Sequence, residues 1–191
     1  MMSIRAFLAA EIDEEMIHSL AMVQADLISH GASVRWVKPE NIHLTLHFFG
    51  NIREEEVEDI CREMCRVSSA IKPMTVQIEG LGAFPSLNNP KVIWAGITDA
   101  EGRLVDMQGA VARELARMGY KVETRPFHPH LTLGRLRSAA GKSGLREALK
   151  QGKIKNFGDW NVKGITLFRS DLKPSGAQYT RLRVIPLHGD S

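Results

Sequence analysis

The stretch Asn41-Ile42-His43-Leu44-Thr45-Leu46-His47-Phe48-Phe49-Gly50 contains a tetrapeptide, His43-Leu44-Thr45-Leu46, that returns 87 positions later as His130-Leu131-Thr132-Leu133. The second copy lies within Pro129-His130-Leu131-Thr132-Leu133-Gly134-Arg135. Both stretches read as β-strands, in which alternate side chains point to opposite faces. His43 and Thr45 therefore share one face and Leu44 and Leu46 the other, and His130, Thr132, Leu131 and Leu133 divide in the same way. Each segment anchors itself in a core by two leucines and presents an imidazole beside a hydroxyl. The chain holds only 7 His and 7 Thr. A shuffled chain of this composition gives about 0.25 His-x-Thr matches, and about 0.002 with Leu at both flanking positions, so two copies are a signal.

Working outward, Ile4–Ala10 reads as a short buried strand, and Asp13 as the cap of a helix running to about Ser29 and closed by Gly31. Val34–Val37 is expected as a strand, Pro39–Asn41 as a turn, and Ile42–Phe49 as a strand stopped by Gly50. A second helix is predicted over Arg53–Ser69, with Glu54-Glu55-Glu56 at the end where the helix dipole favours negative charge. Met74–Glu79 alternates as a strand, Gly80–Pro85 reads as a glycine-punctuated excursion, and Val92–Ile97 as a strand. A helix over Asp99–Met118, a strand over Phe127–Leu136 and a short helix over Ser143–Gln151 follow. Two last strands are expected, at Asn161–Arg169 and Gln178–Ile185. Paired strands between helices argue for an α+β fold with mainly antiparallel sheets. No linker divides the 191 residues, which read as a single domain, 1–191, of two lobes.

Composition narrows the class. A chain with 43% hydrophobic and 25% charged residues is an ordinary globular protein. Two cysteines, Cys61 and Cys65, fall in or beside a helical apolar stripe and read as buried, reduced thiols rather than as a scaffold. No apolar run is long enough to span a membrane, and the acidic residues Glu11, Asp13, Glu14 and Glu15 follow too closely on the apolar start for a secretory signal. A soluble, cytoplasmic monomer is expected. The net charge of +3 conceals a gradient: residues 1–120 carry 11 Lys+Arg against 17 Asp+Glu, and residues 121–191 carry 14 against 5. A basic C-terminal third suits a polyanionic partner, and equally a plain solvated face.

The chemistry lies in the repeat. Two imidazoles facing each other across a cleft can act as acid and base near neutral pH, because histidine titrates near 6.5. Two threonine hydroxyls can donate hydrogen bonds to an oxyanion. A base, an acid and paired anion donors serve displacement at a phosphodiester without calling for a metal or cofactor.

The two His-x-Thr-x motifs resemble those of the 2H phosphoesterase superfamily. With Gly82-Ala83-Phe84-Pro85 and Val92-Ile93-Trp94-Ala95-Gly96, the chain is similar along its whole length to the bacterial and archaeal RNA 2′,3′-cyclic phosphodiesterases, a group also known as 2′-5′ RNA ligases. The resemblance implies two pseudo-symmetric lobes, each with an antiparallel sheet and flanking helices, around a central cleft. It implies hydrolysis of a terminal 2′,3′-cyclic phosphate of RNA to a 2′-phosphomonoester, with 2′-5′ joining of RNA in some members. It places the proton donor on His43, the proton acceptor on His130, and the holding of the non-bridging phosphate oxygens on Thr45 and Thr132.

Other residues carry two readings each. His47 falls on the face of His43 by alternation, as a substrate contact or as an exposed strand-end histidine. Arg135 would face away from Thr132 unless a bulge at Gly134 re-aims it to the phosphate, the role the resemblance favours. Phe84 and Trp94 could stack on a base, or pack in the core. His128 reads as structural or as part of the rim, and a four-histidine metal site as the weaker account because no carboxylate or thiol joins it. Arg125, Arg137, Arg169, Arg181 and Arg183 are candidate contacts to an RNA backbone. Two further functions stay open: a nucleotide- or RNA-binding module without catalysis, and a phosphodiesterase for small cyclic nucleotides or ADP-ribose 1″,2″-cyclic phosphate.

Overall fold

The computed structural model describes residues 2–174 and 176–188. Nine strands and four helices run in the order β1 (Ser3–Glu11), α1 (Glu14–Ser29), β2 (Val34–Trp36), β3 (His43–Arg53), α2 (Glu56–Ser68), β4 (Met74–Pro85), β5 (Pro90–Thr98), α3 (Arg103–Arg117), β6 (His130–Leu136), α4 (Lys142–Gln151), β7 (Asn156–Val162), β8 (Gly164–Lys173) and β9 (Gly176–Pro186). The strands form two antiparallel sheets, one in the order β3-β1-β8-β9 and the other β2-β6-β5-β4-β7. The α+β, two-lobed architecture is the one expected.

Each sheet turns one face to its helices and the other to the cleft. Helices α2 and α3 back the first sheet, and α1 and α4 the second. The central strand β1 shows why its sequence is almost continuously apolar. Ile4, Ala6, Leu8 and Ala10 are buried against the helices, while Phe7 and Ala9 are buried on the cleft face with Phe168. Asp13 caps α1 as predicted, its carboxylate accepting the Met16 amide at 2.9 Å. The motif leucines are nearly inaccessible, with Leu44 at 1%, Leu46 at 4% and Leu131 and Leu133 at 0%. Their burial contributes about 2 kcal/mol each and pins both motif strands to the core.

The lobes are not the two halves of the chain. β2 pairs with β6 in the second sheet, and β8 and β9 return to the first. This exchange ties the lobes together, and β3 and β6 run near each other although they belong to different sheets. Several expected boundaries change. Gly50 does not stop β3: at φ +75° it bends the strand, which continues to Arg53. The Gly80–Pro85 segment is the second half of β4, carried past a bulge between Ile78 and Leu81. Strand β6 begins at His130 rather than Phe127, and the single strand expected over Asn161–Arg169 is a hairpin of β7 and β8. Glycines and charged residues hid these strands because an edge or bulged position needs no apolar side chain.

Candidate active site

His43 and His130 open β3 and β6, and each ring is fixed to the backbone in the same way. His43 Nδ1 lies 2.8 Å from the Asn41 carbonyl, and His130 Nδ1 lies 2.7 Å from the His128 carbonyl. A carbonyl only accepts, so each neutral ring holds its proton on Nδ1 and leaves Nε2 as the unprotonated nitrogen, able to accept a proton. The repeat is thus one of backbone geometry as well as of sequence. Thr45 Oγ1 lies 3.0 Å from His43 Nε2 and, with Nδ1 protonated, donates to it.

Aromatic rings support both imidazoles. Phe7 stacks on His43 with centroids 4.9 Å apart, and Tyr179 meets its edge at 5.5 Å. Phe84 stands edge-on to His130 at 5.0 Å and leans on Trp94 at 5.3 Å. Phe84 and Trp94 line a recess of about 910 Å³ beside His130. A smaller recess of about 440 Å³ opens beside His43, lined by Asn41, Phe168, Tyr179 and Arg181 among others. Trp94 holds its place because Gly82 lies beneath it: a Cβ there would stand 2.1 Å from the indole ring. Gly82→Ala is therefore expected to displace Trp94 and to destabilise the fold by about 1–3 kcal/mol. Tryptophan emission and thermal unfolding check this, and an unaltered spectrum with unaltered stability would refute it.

The charges around the two rings differ. Burial lowers the pKa of His43, while the Asn41 carbonyl and the Glu11 carboxylate pull it upward. Burial also lowers the pKa of His130, opposed by the His128 carbonyl but reinforced by the positive charges of Arg135 and His128. Glu11 stands opposite His43 in the β1–β3 register. Its carboxylate accepts from Thr166 Oγ1 at 2.7 Å and from Arg181 Nε and Nη2, each at 2.7 Å. The carboxylate favours a protonated His43 and the guanidinium a neutral His130.

Two matching bulges decide what else reaches the cleft. In the β1–β3 pairing Ala9 faces Thr45 and Leu8 faces His47, so Leu46 is an extra residue. In the β5–β6 pairing Trp94 faces Thr132 and Ile93 faces Gly134, so Leu133 is extra. Each bulge shifts the alternation by one. His47 consequently leaves the face of His43, where simple alternation places it. It is 8% exposed, registers with buried Leu8, and packs edge-on against Phe49 at 4.6 Å. It joins neither His43 nor His130, so the four histidines do not assemble. The residue after His47, Phe48, swings onto the cleft face instead, and its equivalent in β6 is Arg135. Arg135 is exposed and acts on both His130 and Tyr179. The bulge that turns it there lies at Leu133, one residue before Gly134.

The remaining arginines disperse. Arg125 pairs with Glu123 at 2.6 Å and Arg169 with Asp171 at 3.0 Å, both at the surface. Arg181 reaches the cleft but is held by Glu11, and Arg183 turns to the helix side beside Cys61. Arg137 is exposed just beyond β6. Cys61 is buried, but Cys65 is exposed, because it sits one step off the apolar stripe of α2. Sequence reading missed Phe7, Glu11, Phe168 and Tyr179 as parts of the site. The signal for Phe7 and Glu11 was their odd-numbered alternation with the buried Leu8 and Ala10.

Comparison with known proteins finds relatives along nearly the whole chain. A family profile described as "LigT like Phosphoesterase" matches residues 11–94 and 97–179, with one His-x-Thr motif in each span. An RNA 2′,3′-cyclic phosphodiesterase of Methanothermobacter thermautotrophicus is 34% identical over 189 residues, covering 97% of this chain and 100% of that protein. Its namesake in Methanocaldococcus jannaschii is 31% identical over 175 residues, covering 92% and 96%. The crystal structure of TT0787 of Thermus thermophilus superposes with a TM-score of 0.81 at 29% identity, over 98% of this chain and 100% of that one. The chain belongs to the LigT-like phosphoesterase family.

Proposed function

We propose that the protein is an RNA 2′,3′-cyclic phosphodiesterase that opens the terminal cyclic phosphate by acid–base catalysis between His130 and His43. The relatives of that name support the activity. The observation that carries the mechanism is the shared fixing of both Nδ1 atoms to backbone carbonyls, which commits both Nε2 atoms to proton transfer. His130 Nε2 takes a proton from water as its oxygen bonds to phosphorus. The P–O3′ bond breaks, and the proton on His43 Nε2 passes to the departing 3′ oxygen. The product is a 2′-phosphomonoester with a free 3′ hydroxyl, and proton exchange with solvent restores both rings.

Thr45, Thr132 and Arg135 hold the non-bridging oxygens, where charge grows in the transition state. Because His43 serves the 3′ oxygen, the terminal ribose lies on the side of the first sheet, with its base in the recess beside Tyr179 and Phe168. Phe84 steadies His130 and walls the recess on the water side. In this reading the 191 residues act as a single domain and as a monomer in the cytoplasm. Among the described residues no helix is long and apolar enough to cross a membrane.

The test is an RNA oligonucleotide ending in a 2′,3′-cyclic phosphate, incubated with the protein and analysed by ³¹P NMR. A 2′-phosphomonoester is expected. A 3′-phosphomonoester would reverse the in-line assignment, and an unchanged cyclic phosphate would remove the proposed activity.

A further inference from the structure

Phe48 is the odd residue on the cleft face of the first sheet. It is a large apolar side chain at 47% exposure, turned outward by the Leu46 bulge, and it occupies the place that Arg135 holds in the other lobe. A guanidinium stands there too, supplied by the neighbouring strand: Arg5 Cζ lies 4.6 Å from the Phe48 ring centroid. Among the described residues Arg5 is paired with no carboxylate, unlike Arg181, whose charge Glu11 takes up. Burial raises the pKa of the Tyr179 phenol, and the positive charges of Arg135 and Arg5 both lower it.

The rings between Arg5 and His43 form a continuous floor. Phe7 stacks on His43, and it also stacks on Phe48 at 6.5 Å and 21°. The floor has two ends of opposite character. Beyond His43 lies the recess that Glu11, Glu40 and Arg181 line, where the one guanidinium is already held by Glu11 and the remaining carboxylate of Glu40 opposes a phosphodiester. At the other end lie the exposed Phe48 ring and the unpaired Arg5. A guanidinium over an aromatic ring is the surface on which single-stranded nucleic acids rest their bases and backbone.

We infer that Arg5 and Phe48 form a second subsite, which binds the phosphodiester and nucleotide on the 5′ side of the cyclic-phosphate terminus. The subsite rests on the activity proposed above and deepens it, because it assigns to Arg5 and Phe48 the discrimination between an RNA chain and a lone nucleoside 2′,3′-cyclic phosphate. The 5′ phosphodiester meets the Arg5 guanidinium, and the preceding base lies along its plane and the rim of Phe48. A mononucleotide fills only the recess beside His43 and leaves Arg5 unused.

The experiment compares a short RNA ending in a 2′,3′-cyclic phosphate with cytidine 2′,3′-cyclic phosphate. The quantity read is the ratio of their kcat/KM values, which does not depend on the fraction of protein folded. Arg5→Ala is expected to lower that ratio about tenfold, mainly through KM for the oligonucleotide. Arg5→Lys is expected to restore part of it, since charge returns without the planar stack. A neutral methylphosphonate at the linkage preceding the terminal nucleotide is expected to weaken the wild-type protein by a similar factor and Arg5→Ala hardly further, the signature of one lost contact counted once. A ratio within twofold of wild type in Arg5→Ala, or a methylphosphonate penalty of equal size in both proteins, overturns the subsite. A wild-type protein that hydrolyses neither substrate overturns the activity itself, a result no Arg5 variant can mimic.

Discussion

His43→Ala and His130→Ala are each expected to lower kcat by about 10²–10⁴-fold, the usual worth of a positioned proton donor or acceptor. Neither change threatens the fold. Both imidazoles sit at the cleft, and the neighbouring leucines, not the histidines, fix the strands in the core. Because the proposed mechanism uses the two rings in a single displacement, the double variant is expected to fall little below the weaker single one. The pH dependence separates their roles. His130 must be neutral to accept a proton, so its protonation sets the acidic limb. His43 must be charged to donate, so its deprotonation sets the alkaline limb. Burial holds both rings below the ordinary 6.5, so the bell in kcat/KM is expected to peak below pH 6.5. The charge of bound cyclic phosphate favours protonated His43, so the alkaline limb of kcat is expected at higher pH than that of kcat/KM. His130→Ala should flatten the acidic limb and His43→Ala the alkaline one. Loss of the opposite limb in either variant exchanges the roles of acid and base.

Much of this site was legible in the sequence because strand periodicity is local. Alternation alone puts His43 with Thr45, His130 with Thr132, and four leucines in the core, and the structure keeps all of these. The reading fails at the next residue in each motif, where Leu46 and Leu133 bulge. A bulge is a property of two paired strands, and nothing in His47 or Gly134 announces which partner residues they face. One unread insertion moved His47 into the core and put Phe48 at the cleft. The rest of the site was hidden by distance along the chain. Tyr179 reaches His43 only because β8 and β9 rejoin the first sheet, and that pairing is long-range. The Asn41 and His128 carbonyls that orient the imidazoles are backbone groups, which no residue pattern can name. The lobes were expected and their interleaving was not, since short strands such as β2 carry too few residues to choose a sheet.

Thr45→Val and Thr132→Val are each expected to reduce kcat by about 10²–10³-fold, with KM changing far less. Each hydroxyl stands two residues after its histidine on the same strand, and that of Thr45 lies 3.0 Å from His43 Nε2. Their value is greatest when negative charge accumulates on the non-bridging oxygens, so their loss belongs in kcat. Valine keeps the shape of threonine and removes only the hydroxyl, and both positions are solvent-accessible, so no buried partner is stranded. The two variants should still differ. Thr45 Oγ1 bonds to His43 Nε2 at 3.0 Å in the free protein, so Thr45→Val also frees the acid and is expected to shift the alkaline limb of the pH profile. Thr132→Val should scale the profile without moving it, as no such bond joins Thr132 to His130 among the described residues. Serine at either site supplies the same donor on a side chain free to rotate. Threonine, branched at Cβ, is stiff at χ1 on a strand and holds its hydroxyl aimed before the phosphate arrives. Thr→Ser is accordingly expected to retain activity within about tenfold of wild type. Valine and serine variants with equal losses would show that the methyl group and its packing, not the hydroxyl, are what the reaction needs.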